Sequence, residues 1–344
     1  MAFEKVAILG AGAIGGVIGA YLTRAGSDVT LIDIWPAHVE EMKKSGLKVT
    51  AQEGEFTVKV KAVHLADVCS LHEQFDAILL SVKSYDSVWA AQFILPHLKP
   101  GGIFVSAQNG INEDCLAPIV GYTRMVGCVV TFGAALYEAG HVTRTTALAR
   151  PSFALGELNG MITPRVEELA ALLTPAGPAH ATANLWGDRW AKLIANCMAN
   201  ALAGISGLNN AEMRANADVF PITVKIAGEA LTVAEALNVQ VEPVAGIPAK
   251  VYQDAARGIG LEELRTQWIE RGKALGTGRP SLLQDMMKGR RTEVEHLNGY
   301  VARKGQEVGV PAPMNGAIVE VTKRVETGEL KQSPVNLKLL TRYL

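Results

Sequence analysis

Apolar residues come first as short continuous runs and later as helical stripes. Residues 5–9 (KVAIL) form a β-branched and aliphatic run, followed at once by glycines and then a helical pattern through Leu22. Residues 29–32 (VTLI) are the next apolar run, and they end in Asp33. Strand, helix and strand within about 30 residues define a βαβ unit. Residues 77–82, 103–106 and 125–130 continue the theme. Near-continuous apolar strands separated by helices predict a parallel sheet covered on both faces. Residues 47–63 alternate instead and predict a hairpin at the sheet edge, turning at Glu53-Gly54.

The character changes near Trp186. From Asp188 onward, apolar positions recur three and four apart with few β-branched runs. Residues 243–277 are polar and punctuated by glycine, which predicts shorter helices and loops. Residues 281–308 read as one long helix, stopped by Pro311-Ala-Pro313 before a final helix over 315–326. The predicted fold class is a doubly wound parallel α/β sheet followed by an all-α C-terminal domain.

Charge removes several functions from consideration. Lys+Arg number 33 against Asp+Glu 34, a net charge of −1. Phosphate backbones are bound through a basic surplus, so a nucleic-acid partner is not expected. Charged residues are 19% of the 344 and hydrophobic ones 49%, enough to bury a large core. The charge-free stretch 193–211 carries Asn196, Asn200, Asn209 and Asn210, and four amides make a poor membrane span. The N-terminal Met1-Ala-Phe-Glu-Lys5 has no apolar leader pattern. Cys69, Cys115, Cys128 and Cys197 show neither metal-ligand spacing nor disulfide density, so they read as small buried thiols with no metal. The expectation is a cytoplasmic protein with no membrane partner.

Gly10-Ala-Gly12-Ala-Ile-Gly15 lies between a strand and a helix. In a dinucleotide turn its three glycines serve the tight turn, the close approach of pyrophosphate, and helix–strand packing. Ala13 and Ile14 open the helix whose free N–H groups would face the phosphates. Asp33 follows Gly15 by 18 residues, at the end of the second strand. A carboxylate there bonds the ribose hydroxyls and repels a 2′-phosphate, although it also suits a helix cap or a turn. No arginine follows in residues 33–36 (DIWP), so NAD is favoured over NADP.

Lys192, Asn196 and Asn200 stand at i, i+4 and i+8, one polar stripe on an otherwise apolar helix. Burying a lysine and two amides costs free energy unless a ligand or partner satisfies them. Ser281-Leu-Leu-Gln284 has the spacing of a capping box, so Ser281 has a purely structural alternative. Glu293 stands beside Arg290 and Arg291, so a surface ion pair is its alternative. His296 reads as a packed or exposed histidine rather than a catalyst.

Together these segments resemble the ketopantoate reductase (2-dehydropantoate 2-reductase) family. The resemblance runs through Gly10–Gly16, Ser81-Val-Lys83, Gln108-Asn-Gly110, Lys192-x3-Asn196-x3-Asn200, Ser281-x-x-Gln-Asp, Arg-Thr-Glu293, Asn298-Gly299 and Gly309-Val-Pro311. It implies a Rossmann-type dinucleotide-binding domain over 1–186, a helical substrate and catalytic domain over 187–344, and an active site between them. It further implies Lys192 as general acid/base, Glu293 as the functional glutamate, and Lys83 and Asn109 on the cofactor side. Asn196, Asn200, Asn210 and Ser281 correspond to substrate-binding positions. Two departures stand out. Asp33-Ile34 replaces the basic residue that NADPH-using members carry, and residues 241–278 read as extra length before Ser281. Both point to an NAD-linked, catabolic dehydrogenase of a branched or bulky 2-hydroxy or sugar acid. True ketopantoate reduction, a β-hydroxyacid dehydrogenase and a non-catalytic dinucleotide sensor are the alternatives. The helical domain would also offer apolar surface to a homodimer.

Overall fold

The computed structural model describes residues 3–273 and 276–344, and the chain divides after Leu185 into two compact units. Met1-Ala2 of the N-terminal reading, and Ala274-Leu275 of the 241–278 segment, lie outside the described residues.

In the first unit, β1 (Lys5–Leu9), α1 (Ala13–Arg24), β2 (Asp28–Asp33) and α2 (Pro36–Ser45) open the chain. After them come β3 (Leu47–Ala51), β4 (Gly54–Val58), β5 (Lys61–His64), β6 (Phe75–Leu80), α3 (Ser87–Ile94), β7 (Leu98–Ser106) and α4 (Glu113–Val120). The unit closes with β8 (Met125–Val130), β9 (Ala134–Glu138), β10 (His141–Arg144), β11 (Phe153–Glu157), α5 (Pro164–Leu173) and β12 (Ala179–Ala181). Eight strands form one sheet in the order β12-β11-β8-β7-β6-β1-β2-β5. All neighbours are parallel except β11 with β8. Alternate residues of β1 feed opposite faces. Val6 and Ile8 join Leu31 and Leu79 in one core, whereas Ala7 and Leu9 join Ile32, Ile78 and Leu80 in the other. Two buried faces are why these strands read as unbroken apolar runs.

The 47–63 alternation resolves differently from expectation. β3 and β4 do form an antiparallel hairpin, but it is not on the edge of the large sheet. It belongs to a second, four-stranded sheet ordered β4-β3-β10-β9, where β3 pairs with β10. The large sheet is instead edged by β5, paired with β2 from Thr30↔Lys61 to Asp33↔His64. Pairing with a strand about ninety residues away leaves no local trace in the hairpin.

The second unit is helical among its described residues: α6 (Leu185–Ser206), α7 (Asn210–Ala215), α8 (Val219–Ala236), α9 (Ala249–Ala256), α10 (Leu261–Lys273), α11 (Ser281–Met287), α12 (Asn298–Glu307) and α13 (Pro313–Glu326). The long helix expected over 281–308 is broken. Gly289 adopts φ +62 after α11, a 3-10 turn covers Val294–His296, and Leu297 has φ −107 and ψ −96. A left-handed glycine ends a helix without the Cβ penalty that other residues would meet. A buried polar chain ties the helices together. Glu229 of α8 accepts from the Met314 and Asn315 backbone N–H groups (3.0 and 3.1 Å) and from Asn315 Nδ2 (3.0 Å). Asn298 Nδ2 then donates to Asn315 Oδ1 (3.0 Å) and to the Cys197 carbonyl of α6 (3.4 Å). Glu229 thereby satisfies the free N–H groups that begin α13.

No helix among the described residues is long and apolar enough to cross a membrane. The thiol reading is half corrected: Cys128 and Cys197 are buried, whereas Cys69 and Cys115 are exposed.

Candidate active site

The first group of candidate residues lines the carboxyl edge of the large sheet. The chain leaves β1 for β2 on one side and later returns to pair β6 on the other. Loops diverge at such a switch point and leave a crevice for a ligand. Gly10 has φ +97, and a Cβ there would meet the Ser81 and Val82 backbone at 2.7 Å. At Gly15 a Cβ would meet the Gly10 carbonyl oxygen at 2.1 Å and Ile8 at 3.0 Å, so this glycine sets helix α1 down on β1. Gly12 differs from both: no atom of the described residues lies within 4 Å of its Cβ position, its own chain neighbours aside. It is also the N-cap of α1, with no side-chain capping bond, and Ala13 and Ile14 begin the helix behind it. Open space before an uncapped helix start fits a pyrophosphate.

Around this turn three further groups are placed. Asp33 accepts the Trp35 N–H on Oδ1 (2.9 Å), a turn role that uses one of its two carboxylate oxygens. Lys83 stands at the N-cap position of the 3-10 turn Ser84–Asp86 that follows β6, with no capping bond from its side chain. Asn109 is half-buried, and its carbonyl accepts from Ser84 Oγ (3.1 Å) and Asn112 Nδ2 (2.8 Å). Gln108 stitches the same loops, donating from Nε2 to the Val82 carbonyl and to Ser87 Oγ, both at 2.8 Å.

One supporting residue had no signal in the sequence. His38, wholly buried on α2, accepts the Gly140 N–H on Nδ1 (2.8 Å), which leaves Nε2 protonated to donate to the Ala11 carbonyl (3.0 Å). It holds the glycine turn by the residue between Gly10 and Gly12. A lone histidine on an amphipathic helix looks the same whether or not it does this.

In the helical unit, α6 carries Lys192, Asn196 and Asn200 on one face, while Leu193, Ile194, Cys197 and Ala201 are fully buried. Asn200 is buried and Asn196 half-buried. The Lys192 residue keeps some exposure, yet burial of its ammonium holds it below the ordinary lysine range. No carboxylate opposes that shift among the described residues. A lysine in this condition exchanges its proton more readily near neutral pH.

The two structural alternatives for the later residues are corrected. Ser281 is not a cap: Pro280 occupies the cap position of α11, and Gln284 bonds the Arg279 carbonyl instead (2.9 Å). The Ser281 hydroxyl oxygen is buried with no hydrogen-bond partner among the described residues. A buried, unsatisfied hydroxyl suits a ligand contact. The capping box of this unit lies at Asn209 and Glu212, where α7 begins with Asn210. Glu293 is 3% exposed, so it is no surface residue; Arg291 pairs with Glu295 (2.7 Å). The loop bearing Glu293 is tied to α13 by Thr292, which donates to Glu326, and by the Glu295–Lys323 pair at 2.7 Å. His296 is half-buried, and burial lowers its pKa.

Fold and polar groups together define a class: a Rossmann-type protein whose dinucleotide turn precedes a helical unit with a desolvated lysine. Known proteins narrow it to a family. The family described as Ketopantoate reductase PanE/ApbA matches residues 6–160, and its C-terminal counterpart matches residues 184–326. The 2-dehydropantoate 2-reductase of Archaeoglobus fulgidus is 30% identical, with 95% of this chain and 100% of that protein covered. A crystal structure of a PanE/ApbA family ketopantoate reductase from Ralstonia eutropha superposes with TM-score 0.77 at 30% identity, covering 94% of this chain and 99% of that one. The ternary structure of D-mandelate dehydrogenase with NADH and anilino(oxo)acetate superposes with TM-score 0.81 at 25% identity, over 94% and 99% of the two chains. This chain belongs to the ketopantoate reductase family and is an NAD(P)-dependent oxidoreductase acting on CH–OH groups. The open Gly12 corner fits its nicotinamide dinucleotide.

Proposed function

We propose that this enzyme is an NAD-linked dehydrogenase that interconverts a 2-keto acid and a branched or bulky 2-hydroxy acid. The observation that carries the reading is Lys192, whose ammonium is held below its ordinary pKa by burial, on a helix face shared with Asn196 and Asn200. A bound nicotinamide supplies or accepts the hydride. As ammonium, Lys192 stabilises charge on the keto oxygen and gives it a proton; when the hydroxy acid is oxidised, neutral Lys192 takes that proton. Asn196, Asn200, Asn210 and the unsatisfied Ser281 hydroxyl hold the acid's carboxylate and hydroxyl groups, and Glu293 acts beside them. Gly10, Gly12, Ala13, Ile14 and Gly15 receive the pyrophosphate, with Lys83 and Asn109 on the cofactor side.

Asp33 supports NAD over NADP, because its carboxylate closes β2 where a 2′-phosphate would sit. The likeness to a dehydrogenase bound to NADH and anilino(oxo)acetate supports both NAD and a bulky 2-keto acid. The second reading is 2-dehydropantoate 2-reductase itself, favoured by the full-length likeness to the Archaeoglobus enzyme. Free thiols at Cys69 and Cys115 suit a reducing, cytoplasmic setting. A spectrophotometric panel decides: NAD(H) and NADP(H) against ketopantoate, other 2-keto acids, and branched, aryl and sugar hydroxy acids. Preferred turnover of a bulky hydroxy acid with NAD is expected. Efficient ketopantoate reduction with NADPH would establish the second reading and overturn the first.

A further inference from the structure

Glu293 stands in a segment with little regular structure of its own. Residues 288–293 join α11 to the single 3-10 turn Val294–His296. The last turn of α13 holds this segment in place. Glu326 Oε1 accepts the Thr292 backbone N–H (2.7 Å) and also the Thr292 hydroxyl. That hydroxyl in turn accepts the Val294 N–H (3.4 Å), so the bonds reach both neighbours of Glu293. Lys323, one turn before Glu326, pairs with it at 3.0 Å and with Glu295 at 2.7 Å. Arg291 pairs with the same Glu295 at 2.7 Å, and Arg303 of α12 donates to the Glu295 carbonyl (2.9 Å).

Helix α13 has no need of an acid at this place. Glu326 is its last residue, and the helix macrodipole opposes a carboxylate at a C-terminus. The Thr292 donors and the Lys323 ammonium offset that cost. Thr292 is 1% exposed, and buried donors that lose their acceptor are expensive to leave unmade. Bonds from Lys323 and then Arg291 hold the Glu295 pKa down to about 2, so the second tie stays charged through the neutral range.

We propose that Glu326 is a positioning residue for the reaction: through Thr292, and through Lys323 and Glu295, it fixes the backbone that carries Glu293. The proposal rests on Glu293 acting in the reaction, where a displacement of about 1 Å can cost about 10²-fold in rate. Steady-state kinetics on the full chain test it, with NADH and NADPH against ketopantoate and, as a bulky 2-keto acid, phenylglyoxylate. Glu326→Ala should lower kcat roughly 10–100-fold while the NADH dissociation constant moves less than about twofold. Glu326→Gln, whose amide oxygen still accepts from Thr292, should stay within about threefold of wild type. Thr292→Val, which keeps the backbone N–H and the side-chain shape, should lower kcat roughly threefold to tenfold. Added to Glu293→Gln, Glu326→Ala should cost less than about twofold more, because the group it positions is already gone.

Hydrogen exchange read by mass spectrometry follows the loop whichever acid is turned over. Amides of residues 290–297 should exchange at least about tenfold faster in Glu326→Ala, with α8 as slow as in wild type. Unchanged exchange there overturns the positioning role. So do equal losses in Glu326→Ala and Glu326→Gln, or full additivity with Glu293→Gln, and these leave Glu293 in the reaction. Wild-type turnover by Glu293→Gln itself would instead remove Glu293 from the reaction, and this inference with it.

Discussion

At the end of β1 the chain removes side chains, whereas on α6 it places polar ones where apolar ones would pack better. The glycine turn is a matter of room: Gly10 and Gly15 sit so close to other backbone that a Cβ would collide, whereas a Cβ at Gly12 would meet no other part of the described residues. The α6 stripe is a matter of cost: burial desolvates the Lys192 ammonium, and no carboxylate of the described residues offsets it. The first region is demanded by packing, and the proposed function also gives it a ligand. The second is opposed by packing at Lys192, and the proposed function gives that lysine a substrate to act on. A motif that the fold itself requires is weak evidence of chemistry; a group that the fold tolerates at a cost is stronger.

Substitutions can break this comparison, and the largest effect belongs to α6. Lys192→Ala should lower kcat by about 10²–10⁴ while leaving the dissociation constant for NADH nearly unchanged, as followed by fluorescence titration. Comparable loss of NADH binding would take Lys192 out of the proton-transfer role. In the glycine turn the two open questions separate cleanly. Gly12→Val should weaken NADH binding roughly 10–100-fold with little change in Tm, because its side chain enters only the space left for the ligand. Gly15→Ala should instead lower stability by about 1–3 kcal/mol, read as a Tm loss of several degrees, since its Cβ meets backbone. Equal Tm losses at both positions would show that Gly12 is a packing residue too.

Smaller effects sharpen the same contrast. Asp33→Ala should narrow the preference for NAD over NADP by roughly tenfold in kcat/KM, the value of about one charged hydrogen bond. An unchanged ratio would leave Asp33 with only its turn bond to Trp35. The smallest effect concerns stability against pH. The Lys192 pKa is lower in the folded chain than in the unfolded one. The unfolded chain therefore binds the proton more tightly, and folding is disfavoured wherever that proton must be lost or buried. The cost is fully present below the folded pKa and disappears as pH rises above the ordinary lysine value of about 10.4. Lys192→Met should accordingly raise Tm slightly at pH 7, by about 1–4 °C, with the gain fading toward alkaline pH. A Tm that falls at pH 7 would mean that the lysine is stabilising and not tolerated at a cost.

What could be read without the fold was what repeats locally or breaks a local rule. Buried parallel strands announce themselves as apolar runs, and the glycine turn stands directly after one. The Lys192 stripe is visible because three polar residues recur at helical spacing against an apolar background. Ser281 shows the limit of such reading. Its spacing to Gln284 suits a cap, yet Pro280 takes the cap and the hydroxyl is left buried. Glu293 likewise stands beside two arginines in sequence, as a surface ion pair would, but the loop turns it inward and leaves it 3% exposed. In both cases the backbone path after Pro280 and Gly289 decided which way the side chain faced.

The sequence by itself determined the α/β-then-α order, the glycine turn after β1, and the lysine stripe, because each rests on spacing within a few turns or strands. Only the tertiary structure decided that the 47–58 hairpin pairs with β10 and that His38 holds Ala11. The second contact spans 27 positions, and the first joins strands about 90 positions apart. Their partners are chosen by which surfaces pack together, and no local pattern of residues records that choice.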